Sequence, residues 1–90
     1  MKVETLIEIL NPNVIDLGRK KKGKKIRIDS RLVEAGDIFI AIKGKEKDGH
    51  TYIDDVIKKK PSVIIASKLE ERWKHQNVTI LEVDDTISAM

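Results

Sequence analysis

Two short runs that are apolar on both faces, Ile38-Phe39-Ile40-Ala41-Ile42 and Val63-Ile64-Ile65-Ala66, constrain this chain more than any other feature. Successive side chains of a strand point to opposite faces, so a half-solvated strand alternates apolar with polar residues. A strand without that alternation needs cover on both sides, which places it inside a sheet between two layers. Val78 to Val83 reads as a further strand. Before and between these runs the period changes. Val3, Leu6, Ile7 and Leu10 recur at helical spacing, and Asn11-Pro12-Asn13 ends that helix because proline cannot continue the hydrogen-bond ladder. Thr51 can cap a second helix, with Asp54 as a weak capping-box partner and Ile53, Val56 and Ile57 as its inner face. Lys58 to Lys60 then sit where the helix dipole favours cations, and Pro61 stops the helix.

Ile26 and Ile28 alternate with Arg27 and Asp29, which suits a half-buried strand. Val14-Ile15-Asp16-Leu17 is only a weak apolar stretch, and Leu69 to Lys74 reads as a short helical turn. Asp84 or Asp85 can cap a last helix that has barely begun at Met90, as in a fragment of a longer protein. Strands alternating with helices predict an α/β fold, a small layered domain with a mixed or parallel sheet of about four strands flanked by helices.

Ninety residues suit one small domain, without room for two lobes and a deep cleft between them. A hydrophobic content of 40% with mixed charges excludes a disordered chain. No apolar run approaches the roughly 18–20 residues of a membrane span. The start, MKVETLIEIL, has acids among its apolar residues and no small-residue cleavage site, unlike a secretory signal. Without cysteine there is neither a disulfide framework nor a thiolate metal site, and the expectation is a cytoplasmic protein. The net charge of +3 misleads: residues 19–25, RKKKGKK, hold six of the eighteen cations and no acid, so the remainder stands at −3.

That basic run invites two readings. Gly18 to Lys25 matches the G-x-x-x-x-G-K spacing of a phosphate-binding loop, but Lys25 stands where a magnesium-binding Ser or Thr belongs. The residues after it alternate like a strand instead of opening a helix. Clustered lysines also suit nucleic acid, yet single-strand and RNA recognition adds exposed aromatics, and the chain has only Phe39, Tyr52 and Trp73. A solvated connection between strands is the simpler reading, and neither nucleic acid nor membrane is expected as a partner. His50 and His75 lack the additional ligands of a zinc site, and His75 beside Gln76-Asn77 reads as surface. No nucleophile-and-base arrangement stands out.

The segment Asp29 to Ile53 offers more. It runs from a strand end through the Gly36-Asp37 turn and a buried strand to a loop bracketed by Gly44 and Gly49, then into a helix. Open α/β sheets bind ligands at the carboxyl ends of their strands. Ser30, Asp48 and the backbone can supply the donors and acceptors of a pyrimidine edge, and the glycines allow close approach, although ordinary turn chemistry would use the same residues.

The pattern D-S-R-x-V-x-x-G-D-x-F-x-A-x-x-G-x-x-x-D-G-H-x-[YF]-I, met by Asp29, Ser30, Arg31, Val33, Gly36, Asp37, Phe39, Ala41, Gly44, Asp48, Gly49, His50, Tyr52 and Ile53, resembles the signature of the first domain of bacterial cell-wall amino-acid ligases of the MurE/MurF type. The start of the chain, VIIAS and VTILEVDDT are similar to the flanks of that domain, so the resemblance covers nearly all of it. It implies a three-domain ligase in which residues 1–90 form the N-terminal domain that binds the UDP end of UDP-N-acetylmuramoyl-peptide, ending just before the linker to an ATP-binding central domain. ATP and Mg2+ would belong to that central domain and amino-acid recognition to a C-terminal one, so no cofactor, metal site or catalytic residue is expected in these ninety residues.

By the same resemblance Ser30 is the hydroxyl beside the uracil, Ile28 the apolar residue on its ring, and Lys45, Glu46 and Lys47 the variable loop that closes on the base. Gly44, Asp48, Gly49 and His50 shape that loop, while Arg31 and Asp37 suit an internal ion pair or a turn anchor. The MurE-like start favours the enzyme that adds the third amino acid to UDP-N-acetylmuramoyl-dipeptide. The alternatives are the MurF sister enzyme and a free-standing nucleotide- or anion-binding module using residues 19–25.

Overall fold

The computed structural model describes residues 1–43 and 48–84. Two doubly apolar strands, β3 (Ile38–Ile40) and β4 (Val63–Ala66), pair in parallel inside one sheet. Strand β2 (Ile26–Arg27) adds in parallel beside β3, and β5 (Thr79–Glu82) in parallel beside β4. Strand β1 (Asn13–Asp16) closes the far edge antiparallel to β5, giving the order β1-β5-β4-β3-β2. The sheet is mixed and has five strands.

The need for cover on both faces is met by two helices. Helix α1 (Val3–Leu10) puts Val3 and Leu6 against Ile38, Ile40, Val63, Ile65 and Leu81. Helix α2 (Ile53–Lys58) puts Ile53 and Val56 on the opposite face, against Phe39, Ala41, Ile64, Ala66 and Ile80, with Trp73 filling the same side. The odd and even positions of each central strand thus reach separate cores. Asn11, in the left-handed conformation (φ 47°), ends α1 by donating its N–H to the Ile7 carbonyl, one residue before the proline.

Three local expectations change. Val14 and Ile15 belong to a strand, completed by pairing Asn13 with Glu82 and Val14 with Leu81. Ile26 and Ile28 do not face the core; both are exposed, and between them Arg27 reaches the buried Asp37 carboxylate, with Nε at 3.5 Å from Oδ2. Thr51 does not cap the second helix. The chain enters α2 through a 3₁₀ turn, Gly49–Tyr52, capped by Asp48, while the Asp54 side chain accepts from Arg72 and from Trp73 Nε1. The Arg72 and Trp73 hydrogen bonds hold the Asp54 carboxyl down at about 2.

The basic run is a belt. It leaves β1 at one edge of the sheet and enters β2 at the other, crossing beneath the amino ends of the parallel strands. It is fastened at each in turn: Gly18 N donates to Thr79 Oγ1 (3.0 Å), Ser62 Oγ donates to the Lys22 carbonyl (2.8 Å), and Lys24 N donates to the Gly36 carbonyl (2.8 Å). Gly23 passes so close under Ile38 that a Cβ there would sit 2.2 Å from its side chain. The backbone of this connection is therefore part of the fold, although most of its cationic side chains are exposed.

Candidate functional site

Beyond Arg27 the chain reaches the carboxyl end of β2 and tightens into a 3₁₀ turn, Ser30–Leu32. Asp29 caps that turn by accepting from Arg31 N (3.0 Å), and the Arg31 guanidinium closes back on the same carboxylate, Nη2 to Oδ2 2.8 Å. The hydrogen bond with Asp29 raises Arg31 above its ordinary pKa, so the fork is fixed in its charged form. Across from this turn, beyond the carboxyl end of β3, lies the Gly49–Tyr52 turn. Between the two opens a cleft of about 330 Å³ lined by Ile28, Asp29, Ser30 and Arg31 on one wall and by Ile42, Gly49 and Tyr52 on the other.

The second wall is built by Asp48-Gly49-His50. Asp48 Oδ1 accepts from His50 N (3.0 Å) and from the ring Nδ1 (2.6 Å). The ring's Nε2 accepts from the backbone N–H of Ser67 (3.0 Å) and of Lys68 (3.2 Å), just past β4. Accepting backbone donors at Nε2 assigns the proton to Nδ1, facing Asp48. Burial works to raise the Asp48 carboxyl, but the hydrogen bonds from His50 outweigh it and hold the group below its ordinary range. His50 is thus a buried staple between the β3–α2 connection and the end of β4.

Gly49 sits against β3's continuation. Its N–H donates to the Ile42 carbonyl (2.8 Å), and a Cβ would lie 2.8 Å from Ile42 N and 3.1 Å from Ala41 Cα. The missing side chain makes room for the protein's own backbone. At the foot of the first wall, Asp37 is buried and accepts from Lys25 N (3.2 Å), Glu34 N (2.9 Å) and Arg27 Nε. Burial alone would raise this carboxyl; those three donors reverse the effect and leave it lowered. Arg31 and Asp37 therefore do not pair with each other. Each anchors its own turn.

The cleft brings Ser30 and Ile28 together with Gly49, while Asp48 and His50 stand behind its wall. The Ser30 hydroxyl has no hydrogen-bond partner among the described residues, and Ile28 is 56% exposed beside it. Gly44, Lys45, Glu46 and Lys47 lie outside the described residues, as does the last helix proposed beyond Asp84. Sequence reasoning does not single out Tyr52 and Ile42 as site residues; only the position of Tyr52 two residues after His50, on the face that leads away from the buried Ile53, hints at exposure. The run Gly18 to Lys25 continues into strand β2, so it lacks the helix of a phosphate-binding loop. His75 is exposed. Among the described residues no three His, Asp or Glu side chains gather as a metal would require, and no helix is long and apolar enough to cross a membrane.

A hydroxyl without a partner among the described residues, beside an exposed isoleucine and an exposed tyrosine at the carboxyl ends of two parallel strands, suits a flat ring with a polar edge. The family model described as Mur ligase family, catalytic domain, matches residues 23–89. The chain belongs to the Mur ligase family. It is similar to the UDP-N-acetylmuramoyl-L-alanyl-D-glutamate–2,6-diaminopimelate ligase of Phocaeicola vulgatus, 40% identical over 96% of this chain and 18% of that protein. The ligase of the same name from Clostridium perfringens is 36% identical over all of the chain and 18% of its own length.

Among solved structures, MurF from Acinetobacter baumannii superposes with a TM-score of 0.82 at 26% identity, over 98% of this chain and 19% of that one. MurF from Thermotoga maritima, solved in complex with ADP, matches with a TM-score of 0.58 at 29% identity, over 72% of this chain and 14% of that one. The chain thus spans less than a fifth of the length of these Mur ligases, and its mixed five-stranded sheet is that of the MurE/MurF N-terminal domain.

Proposed function

We propose that this Mur ligase domain holds the uridine end of UDP-N-acetylmuramoyl-dipeptide, as the first domain of an ATP-dependent ligase that adds the third amino acid to a peptidoglycan precursor. The observation that carries this reading is the meeting of Ser30 Oγ, without a partner among the described residues, with Ile28 and Tyr52 in one cleft. The hydroxyl would bond the polar edge of the base, and the two apolar side chains would take its faces. The cleft is too small for the whole substrate, so the peptide end would extend toward the other domains of the ligase. In this reading ATP, Mg2+ and bond formation belong to the rest of the protein. Similarity to ligases named for 2,6-diaminopimelate at up to 42% identity supports a MurE-type role over a MurF-type one, where identity is 26–29%. As an anion-binding module, the belt would act at the amino ends of the parallel strands, the end of the sheet opposite to this cleft.

Titration of UDP-N-acetylmuramoyl-dipeptide into the protein carrying this domain tests the reading. Ser30→Ala should weaken binding about five- to tenfold, the loss of one hydrogen bond, without lowering thermal stability. Unchanged affinity would remove the hydroxyl from the site.

A further inference from the structure

One cation away from the cleft mouth ties its two walls together. Lys59 follows directly on α2 and donates through Nζ to the Ser30 carbonyl at 2.7 Å, across 29 residues of sequence. The lysine is half-buried, and the bond is charge-assisted. Among the described residues the Ser30 carbonyl otherwise receives only Val33 N, at 3.4 Å. No other side-chain hydrogen bond among the described residues links Ser30 to α2. The Gly49–Tyr52 wall runs without a break into α2, so Lys59 and that wall belong to one continuous helical stretch.

From this geometry we infer that Lys59 is a positioning residue: it sets the separation of the cleft walls and aims the Ser30 hydroxyl. The inference rests on the uridine reading, because it gives Lys59 a role through Ser30 and not through contact with ligand. A carbonyl and a hydroxyl of the same residue move together, so release of the carbonyl lets the 3₁₀ turn rotate and the hydroxyl lose its direction. Lys59 lies at the carboxyl end of α2, where a cation is favoured in any case. A purely dipole-related role would need no bond to the facing turn.

The test is a double-mutant cycle on the affinity for UDP-N-acetylmuramoyl-dipeptide in the protein carrying this domain, using Lys59→Met, Ser30→Ala and both together. Lys59→Met should weaken binding about fivefold, Lys59→Arg should restore most of it, and in the Ser30→Ala background Lys59→Met should change affinity by less than about twofold. In turnover the loss should fall on KM, with kcat unchanged. Equal losses from Lys59→Met in both backgrounds would make Lys59 a general stabiliser and overturn the inference, as would no loss at all. If Ser30→Ala itself has no effect, the uridine reading fails, and the positioning role fails with it. Lys59→Ala, which also removes the donor, replaces Lys59→Met in the cycle if the latter does not fold.

Discussion

Replacing His50 with alanine is expected to lower the unfolding free energy by about 3 kcal/mol and to weaken substrate binding with it. The loss has two sources. The N–H groups of Ser67 and Lys68 lose the Nε2 acceptor, and Asp48 loses the ring donor that holds it in its capping position. Buried donors without acceptors cost about 1–3 kcal/mol each, less where water can enter the vacated space. A domain of this size has roughly 5–13 kcal/mol in all, so the variant should remain folded at low temperature with a visibly lower denaturant midpoint. His50→Gln should recover part of the loss, because its side-chain oxygen can accept from the same backbone donors. Urea unfolding of the three proteins checks this. A His50→Ala midpoint equal to that of the parent would mean that the staple contributes nothing.

The second large effect is expected at Asp37. Asp37→Ala should cost about 3 kcal/mol, because two backbone N–H groups and Arg27 lose one shared acceptor at the foot of the first wall. The same carboxylate makes stability depend on pH. Its folded pKa is lowered from 3.8, so the stabilisation it gives is complete above the unfolded value and is lost as pH falls through the folded one. Between about pH 5 and strongly acidic solution the parent should therefore lose stability more steeply than Asp37→Asn, which cannot titrate. Denaturant midpoints across that range check the slope. Parallel curves for the two proteins would show that Asp37 is not a source of the acid sensitivity.

Much of the fold is legible in the chain, and the exceptions share a cause. The doubly apolar runs at β3 and β4 announce a covered sheet, and the helical spacing of Val3, Leu6, Ile7 and Leu10 announces one of its covers. Strand β1 is not legible because an edge strand needs only weak apolar character and owes its existence to β5, more than sixty residues away. The outward turn of Ile26 and Ile28 is not legible either, since it depends on Arg27 finding Asp37. Alternation gives the period of a strand but not which face is inside when the strand lies at a sheet edge.

At the site, spacing alone does not separate residues that face the cleft from those that support it. The family signature holds both kinds. Ser30 and Tyr52 line the cleft, whereas Asp37, Asp48 and His50 hold turns, and Gly49 both lines the cleft and makes room for the β3 backbone. Lys59 lies outside that signature, because its partner is a backbone carbonyl that leaves no mark on residue type.

The most direct measurement is hydrogen–deuterium exchange of the protein carrying this domain, with and without saturating UDP-N-acetylmuramoyl-dipeptide. If the uridine end occupies the cleft, peptides containing residues 28–32 and 48–53 gain protection while those containing residues 19–25 do not change. Protection confined to residues 19–25, with the two cleft walls unaltered, would contradict it and place the anion at the belt.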